Sequence, residues 1–465
     1  MKISTALLAA AQADFIAALG ADRVFTDIET LALYSHDETA QACTPDAVLF
    51  PANHEHVVAL MKIALAHRIA LVPRAGGSGN VGGALPVTGS VVVSFECMRR
   101  IIEFSPADRY MVVEPGVVTA DIDQLARQHG LFYPPDPGSA PYCRIGGNLA
   151  MNAAGPRAVK YGVTRDYVLG LRAVTGTGAE IRTGCRTTKG VTGYDLTRLL
   201  VGSEGTLALI TEATVRLIPA PEARATLRVC YASNVAACQA VARVMQQAVI
   251  PCALEFMDQR SIAAIQAAGA ATDLPAGTRA LLMVEADGVA TDLPRQIAAL
   301  SAALQGDGML QLLQAANASE VAALWQARKA LSHAVKRIAP LKINEDVVVP
   351  VSRLAELVAH IDTLALDTGL PVVSFGHAGN GNLHVNFMVD PANRTQMEHA
   401  RASLQSLFAK VLALGGTLSG EHGIGTEKRD YMHLEVDAPT MELLRVIKAQ
   451  FDPQGLLNPG KLLSA

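Results

Sequence analysis

The chain has 465 residues, half of them hydrophobic and 18% charged, with 39 Lys and Arg against 43 Asp and Glu for a formal net charge of −4. At roughly 150 residues per domain, this length makes two large units or three smaller ones, with ample core and no need of disulfide staples. The near balance of charge argues against an electrostatic nucleic-acid binder, and no apolar run is long enough for a membrane-spanning helix.

The N-terminus carries Lys2 and an apolar patch over residues 5–11 that passes through Asp14 into a helical pattern. It lacks a small-residue cleavage site and reads as a helix, not a signal peptide. Seven cysteines (43, 97, 143, 185, 230, 238 and 252) are scattered, with no CxxC pair. Fe–S and zinc-ribbon readings therefore fail, and a reducing cytoplasm is expected, with peripheral attachment at an inner membrane as the alternative.

From about residue 42 to 219, short β-branched runs alternate with glycine and proline, as at Val91-Val92-Val93, Met111-Val112-Val113 and residues 206–211. Helical patterns fill the spacers at 54–66 and 119–129, which predicts a strand-rich α+β unit. Pro219-Ala220-Pro221 marks a boundary. Beyond it, helices at 234–248 and 294–304 and strands at 280–285 and 346–350 predict a second α+β unit. The tail, 441–461, reads as a helix followed by the turn residues Asp452-Pro453 and Asn458-Pro459-Gly460. The expected domains are 1–220 (core about 42–219), 221–415 and a C-terminal segment, 416–465.

The run from Pro73 to Gly83 contains a literal GxGxxG at Gly77, Gly79 and Gly82. A dinucleotide fingerprint of that type needs a helix opening at the loop. Here Pro86 and Gly89 lead straight into the strand near Val91, leaving no room for one. A glycine loop between strands can still cradle phosphate with consecutive backbone N–H groups, and taken alone it also suits a plain tight bend.

Further along the chain lie Pro135-Asp136-Pro137-Gly138-Ser139, Ile145-Gly146-Gly147-Asn148, Asn152-Ala153-Ala154-Gly155, Tyr161-Gly162 and Gly202-Ser203-Glu204-Gly205-Thr206-Leu207, with Ile210 and Thr211. In this order and spread, over about 150 residues, the sequence resembles the FAD-binding domain of the vanillyl-alcohol oxidase and p-cresol methylhydroxylase flavoproteins. The resemblance implies an α+β fold with a two-part FAD-binding domain of the p-cresol methylhydroxylase type, an α+β substrate (cap) domain and a tail returning to the flavin. It implies that the first glycine loop binds the FAD pyrophosphate. The cofactor residues carried over are Arg74, Gly76, Gly77, Ser78, Gly79, Asn80, Pro137, Ser139, Gly146, Asn148, Gly155, Glu204, Gly205 and Ile210, with Asn458 in the final turn. The pyrophosphate loop has no histidine, so the FAD is expected to be noncovalent.

The residues 372–375 read as a strand and Gly376-His377-Ala378-Gly379-Asn380-Gly381-Asn382 as a turn. Leu383, Val385, Phe387 and Val389 then alternate with His384, Asn386 and Met388, so the polar pair shares one strand face. A second polar cluster lies at Ser419-Gly420-Glu421-His422-Gly423-Ile424-Gly425. Imidazole and carboxylate together suit a borderline divalent ion such as Zn2+ or Mn2+. Read singly, each histidine also suits a satisfied or surface residue. The two motifs together resemble the D-2-hydroxyacid dehydrogenase branch of the flavoprotein family, which includes D-lactate and D-2-hydroxyglutarate dehydrogenases and the flavin subunit of glycolate oxidase. By that resemblance His377, His384 and Glu421 hold the metal and His422 is the general base.

On the helical stretch 322–338, Trp325, Arg328, Ser332 and Val335 share a stripe. The resemblance places a substrate-carboxylate arginine at Arg328, with Ser332 and Asn386 as further substrate contacts. Where the 2-hydroxyglutarate enzymes carry a lysine before the next strand, this chain has Asn344, with Lys342 two residues earlier, which tilts the expected substrate toward D-lactate. The electron acceptor expected is a quinone, a cytochrome, an electron-transfer flavoprotein or a partner subunit; a homodimer is allowed. A metallohydrolase would leave the glycine framework of 73–211 unexplained, and a noncatalytic flavin subunit would not need the histidine cluster.

Overall fold

A computed structural model describes residues 5–269 and 273–463, without the side chains of residues 5–9, 332 and 333. The chain divides into two compact units. Residues 1–154, 163–220 and 421–465 make the first, and 155–162 with 221–420 make the second.

The first unit holds two sheets. Strands β1 (Val24–Phe25), β2 (Ala47–Leu49), β3 (Ala70–Arg74) and β4 (Ser90–Ser94) form one, in the order β1-β2-β4-β3. β4 runs parallel to both β2 and β3. The β3–β4 connection is the glycine loop, with no helix in it, as the sequence predicts.

The helix His54–His67 is started by the Asn53 side chain, which accepts from His56 N, and ends on Arg68 in the left-handed region. Its Val57, Leu60, Met61 and Ala64 repeat at helical spacing and pack with Phe15 of the helix Thr5–Leu19 and with Leu49, Leu71, Val91 and Val93 of the sheet.

The second sheet is antiparallel throughout. It contains β5 (Ile101–Ser105), β6 (Tyr110–Val113), β8 (Val168–Thr175), β9 (Glu180–Gly184) and β10 (Ala208–Arg216), in the order β5-β6-β10-β8-β9. The short strands β7 (Leu131–Phe132) and β11 (Ile218–Pro219) pair apart from it. The tail beyond the helix Ala438–Phe451 returns to β3. Leu71 N donates to Leu456 O at 2.8 Å and Asn458 N to Leu71 O at 2.8 Å, a parallel bridge along the sheet edge.

The second unit is built on a seven-stranded sheet. Its strands are β12 (Ala223–Tyr231), β13 (Ala253–Asp258), β14 (Ala280–Gly288), β15 (Met309–Gln314), β16 (Leu341–Val348), β17 (Val372–Gly376) and β18 (Asn382–Val389), in the order β15-β12-β14-β13-β17-β18-β16. β16 starts five residues before the expected strand, because Lys342 and Asn344 break the apolar run while keeping the alternation. One sheet face, with Cys230, Met257, Leu281, Met283, Val373, Phe375 and Met388, packs against Ile262 and Ile265 of the helix Gln259–Ala267 and Leu331 of the helix Ala318–Ala334. Every residue of β18 is buried, so its polar members lie inside the protein.

The segment 155–162 is pinned within this unit. Lys160 Nζ donates to the Asp287 carbonyl and carboxylate at 2.7 and 2.6 Å, and the Tyr161 hydroxyl to both carboxylate oxygens. Burial and the Asp287 charge push the Tyr161 hydroxyl far above its ordinary pKa, so it stays a donor. All seven cysteines are free. Among the described residues, no helix is long and apolar enough to cross a membrane.

Candidate functional site

In the first unit the expected cofactor residues cluster around the loop after β3. Arg74 ends that strand, buried, with Nη1 on the His36 carbonyl at 2.6 Å and its guanidinium over the Tyr34 ring. It underpins the loop: Gly77 has φ +65°, and a Cβ there would overlap the Arg74 guanidinium. Among the described residues, the N–H groups of Gly76, Gly77, Ser78, Gly79 and Asn80 donate to no backbone carbonyl. A side chain at Gly79 would meet nothing within 4 Å. Successive uncommitted N–H groups beside open space, in a loop without an acidic residue, fit a diphosphate.

Two residues tie this loop to distant segments of the same unit. Asn458 Nδ2 donates to Gly83 O at 2.9 Å and to Glu204 O at 2.7 Å, while its buried Oδ1 has no hydrogen-bond partner among the described residues. Glu204 accepts from Ile424 N at 2.7 Å and Gly425 N at 2.8 Å, one on each oxygen. Burial raises the Glu204 pKa despite these two N–H donors. Gly425, at φ +52°, has no space for a side chain, because a Cβ would overlap the Val81 carbonyl. Glu204 therefore shapes the end of the Gly-Glu-His-Gly-Ile-Gly motif. Glu204→Gln, which turns one acceptor oxygen into a donor facing an N–H, is expected to cost about 1–3 kcal/mol of stability, read as a lowered chemical-denaturation midpoint.

The other expected cofactor residues sit on further segments, of which the stretch 142–147 lies against Ala75 and Gly76 of this loop. Pro137 and Ser139 form a turn, with Pro137 O accepting from Ala140 N and Ser139 O from Tyr142 N and Cys143 N. Gly146 and Asn148 lie in the helix Ile145–Met151, where Asn148 Nδ2 donates to Thr119 Oγ1 at 2.8 Å. Gly205 has φ +69° and packs on Pro73, and Ile210 sits within β10 opposite Ala173. Gly155 belongs to the second unit.

In the second unit, the face of β18 that carries His384 and Asn386 meets the turn after β17 that carries His377. The two imidazoles stand edge to face, 5.4 Å between centroids, and a nitrogen of each lies within 4.8 Å of the other. Each ring has a carboxylate on its Nδ1 side. Glu255 Oε1 is 2.6 Å from His377 Nδ1, and Asp346 Oδ1 is 3.8 Å from His384 Nδ1. Asp346 is fully buried and also accepts from Asn382 Nδ2 at 2.6 Å and Gly420 N at 2.9 Å. Two buried histidines this close together, one hydrogen-bonded to a carboxylate and the other 3.8 Å from one, make a donor set that fits a divalent cation.

Arg328 reaches the same face from the helix Ala318–Ala334. Its Nε and Nη2 both lie on Glu255 Oε2, at 2.8 and 2.7 Å, and its guanidinium stacks over Phe375 at 4.9 Å. Nη1 makes no hydrogen bond to protein among the described residues. Asn386 is fully buried, with Nδ2 on the carbonyls of Val373 and His384 and Oδ1 accepting from Asn344 Nδ2 at 2.6 Å. The Ser332 side chain lies outside the described residues. Glu421 and His422 come directly after Gly420 in the chain and open the last stretch of the first unit.

Glu255 and Asp346 have no motif around them to mark them in the sequence. Each is a buried carboxylate within a strand, in Ala-Leu-Glu-Phe-Met-Asp and Asn-Glu-Asp-Val-Val, and an acid placed next to apolar residues is the available sign. Burial drives the Glu255 pKa up, but the His377 and Arg328 charges outweigh it and hold the carboxyl below its ordinary value.

The fold is that of the p-cresol methylhydroxylase type of FAD-binding protein. A structure of p-cresol methylhydroxylase with substrate bound superposes with TM-score 0.82 at 17% identity, covering 99% of this chain and 98% of that one. Residues 45–184 match the family described as FAD binding domain, and 220–462 match FAD linked oxidases, C-terminal domain.

Curated relatives are similar along nearly the whole length. The glycolate oxidase subunit GlcD of Bacillus subtilis (strain 168) is 39% identical, over 93% of this chain and 92% of its own. A D-2-hydroxyglutarate dehydrogenase of Stutzerimonas stutzeri (strain A1501) is 33% identical, over 95% and 96%. A D-lactate dehydrogenase of Archaeoglobus fulgidus is 35% identical, over 92% and 95%. The chain belongs to the FAD-linked oxidase family, on its FAD-dependent D-2-hydroxyacid dehydrogenase branch.

Proposed function

We propose that the protein oxidises D-lactate to the 2-keto acid with metal assistance. The observation that carries this reading is the pair of buried histidines, each backed by a carboxylate, on the sheet face that Arg328 also reaches. When bound, noncovalent FAD supplies the hydride acceptor and a divalent ion, Zn2+ or Mn2+, supplies Lewis acidity toward the substrate hydroxyl.

His377, His384 and Glu421 hold the ion in this reading. Arg328 Nη1 takes the substrate carboxylate, since guanidinium offers directed donors to a planar anion. Asn386 and Ser332 complete the substrate wall. His422 accepts the hydroxyl proton as a neutral imidazole, the side chain whose pKa suits that task near neutral pH. The glycine loop, Pro137, Ser139, Gly146, Asn148, Gly155, Glu204, Gly205, Ile210 and Asn458 form the FAD site. Electrons then pass to an external acceptor such as a quinone, a cytochrome or an electron-transfer flavoprotein.

D-lactate is favoured because Asn344, on the site face of β16, is neutral and its Nδ2 is taken by Asn386. Lys342 alternates onto the same face and supports a second reading, in which the substrate is D-2-hydroxyglutarate.

The test is an anaerobic titration of the flavin absorbance with D-lactate, D-2-hydroxyglutarate, glycolate and L-lactate, each with and without a chelator. Bleaching by D-lactate that is lost with chelator is expected. A flavin band that no acid bleaches would sink the reading, and strongest bleaching by D-2-hydroxyglutarate would move the assignment to the dicarboxylate.

A further inference from the structure

Glu255 has no task in the proposed chemistry, yet it binds two side chains that do, His377 and Arg328. It stands in the middle of β13 among buried residues and is itself 0% exposed. A carboxylate in such a place costs several kcal/mol in lost hydration unless it is paired and hydrogen-bonded. Here it is both. Oε1 faces His377 Nδ1 at 2.6 Å, while Oε2 takes Nε and Nη2 of Arg328 at 2.8 and 2.7 Å. The Phe375 ring closes the other side of the guanidinium. Two side chains from separate elements, the turn after β17 and the helix Ala318–Ala334, are thus fixed by one carboxylate.

Glu255 occupies one defined side of each of these two side chains. With Nδ1–H donated to Glu255, the His377 lone pair is on Nε2. With Nε and Nη2 on Glu255, Arg328 retains Nη1. We propose that Glu255 is a positioning residue that presents His377 Nε2 to the divalent cation and Arg328 Nη1 to the substrate carboxylate, so that cation and substrate are received by one pre-arranged unit. The proposal rests on the metal-assisted reading of the site.

Glutamine keeps the size of Glu255 but has one acceptor oxygen in place of two, so it cannot serve both partners. The experiment compares the FAD-loaded wild type with Glu255→Gln and Arg328→Gln. Zn2+ affinity is read by competition with a chromophoric chelator, and KM and kcat for D-lactate are read at saturating Zn2+. For Glu255→Gln, Zn2+ binding is expected to weaken by roughly 10- to 100-fold, as for other carboxylates behind a metal-bound histidine. KM should rise as well, with flavin content retained. Arg328→Gln should raise KM and leave Zn2+ affinity at the wild-type value.

Wild-type Zn2+ affinity and KM in Glu255→Gln overturn the proposal and leave the metal reading standing. Equal loss of Zn2+ affinity in both variants also overturns it, since that marks a general collapse of the strand. A wild type that binds no Zn2+ overturns the metal reading itself, and the positioning role with it.

Discussion

His422→Ala is expected to slow flavin reduction by D-lactate by roughly 10²- to 10⁴-fold, the usual contribution of a positioned general base, while FAD remains bound. The residues proposed to hold FAD in the first unit are tied together by Asn458, Glu204 and the loop after β3, and none of those hydrogen bonds involves the His422 side chain. The backbone around position 422 is also fixed independently of its imidazole, because Ile424 and Gly425 are anchored to Glu204 and Gly420 to Asp346. Loss of chemistry without loss of cofactor is therefore the expected signature. Anaerobic stopped-flow bleaching gives the rate, and flavin absorbance after gel filtration gives the occupancy. An unchanged rate would place the base elsewhere, and a colourless variant would make His422 a structural residue.

His384→Ala is expected to remove metal and activity together. The substitution deletes one of two imidazoles, and the remaining nitrogen and carboxylate donors make a much weaker site for a borderline cation. The fold should tolerate it, since Asp346 keeps its bonds from Asn382 and Gly420, and β18 keeps its pairing with β16 and β17. Elemental analysis after dialysis, alongside turnover of D-lactate, reads both quantities on one sample. A wild type that is fully active when stripped of metal contradicts the assignment, as does an active, metal-free His384→Ala.

Local patterns make part of this site legible in the sequence. The alternation from Leu383 to Val389 is enough to put His384 and Asn386 on one face. The glycine loop is set apart from a dinucleotide fingerprint by its exit into a strand with no helix between. Pairings between distant segments leave no such sign. Glu255 meets His377 and Arg328 across 122 and 73 residues of sequence, and Asp346 meets Asn382 across 36. Sheet order and register decide these meetings, and neither is written in the period of a single strand. Asn386 shows the same limit: the alternation puts it on that face, but its bonds to the Val373 carbonyl and to Asn344 depend on which strands flank β18. The return of residues 155–162 to the second unit, through Lys160, Tyr161 and Asp287, likewise has no local mark.

The tail along β3 sets an order of events during synthesis. Residues 221–420 leave the ribosome as a continuous stretch that contains all seven strands of the second unit, so that unit can fold while translation continues. The first unit cannot be completed then, because Leu456 and Asn458, which bond to Leu71, and Ile424 and Gly425, which bond to Glu204, are made after residue 420. Until they arrive, β3 presents an open sheet edge, a template for pairing with other nascent chains. Slow translation through residues 421–465, or a bulky fusion after them, should therefore lower soluble yield more than the same change made within a surface loop of the second unit.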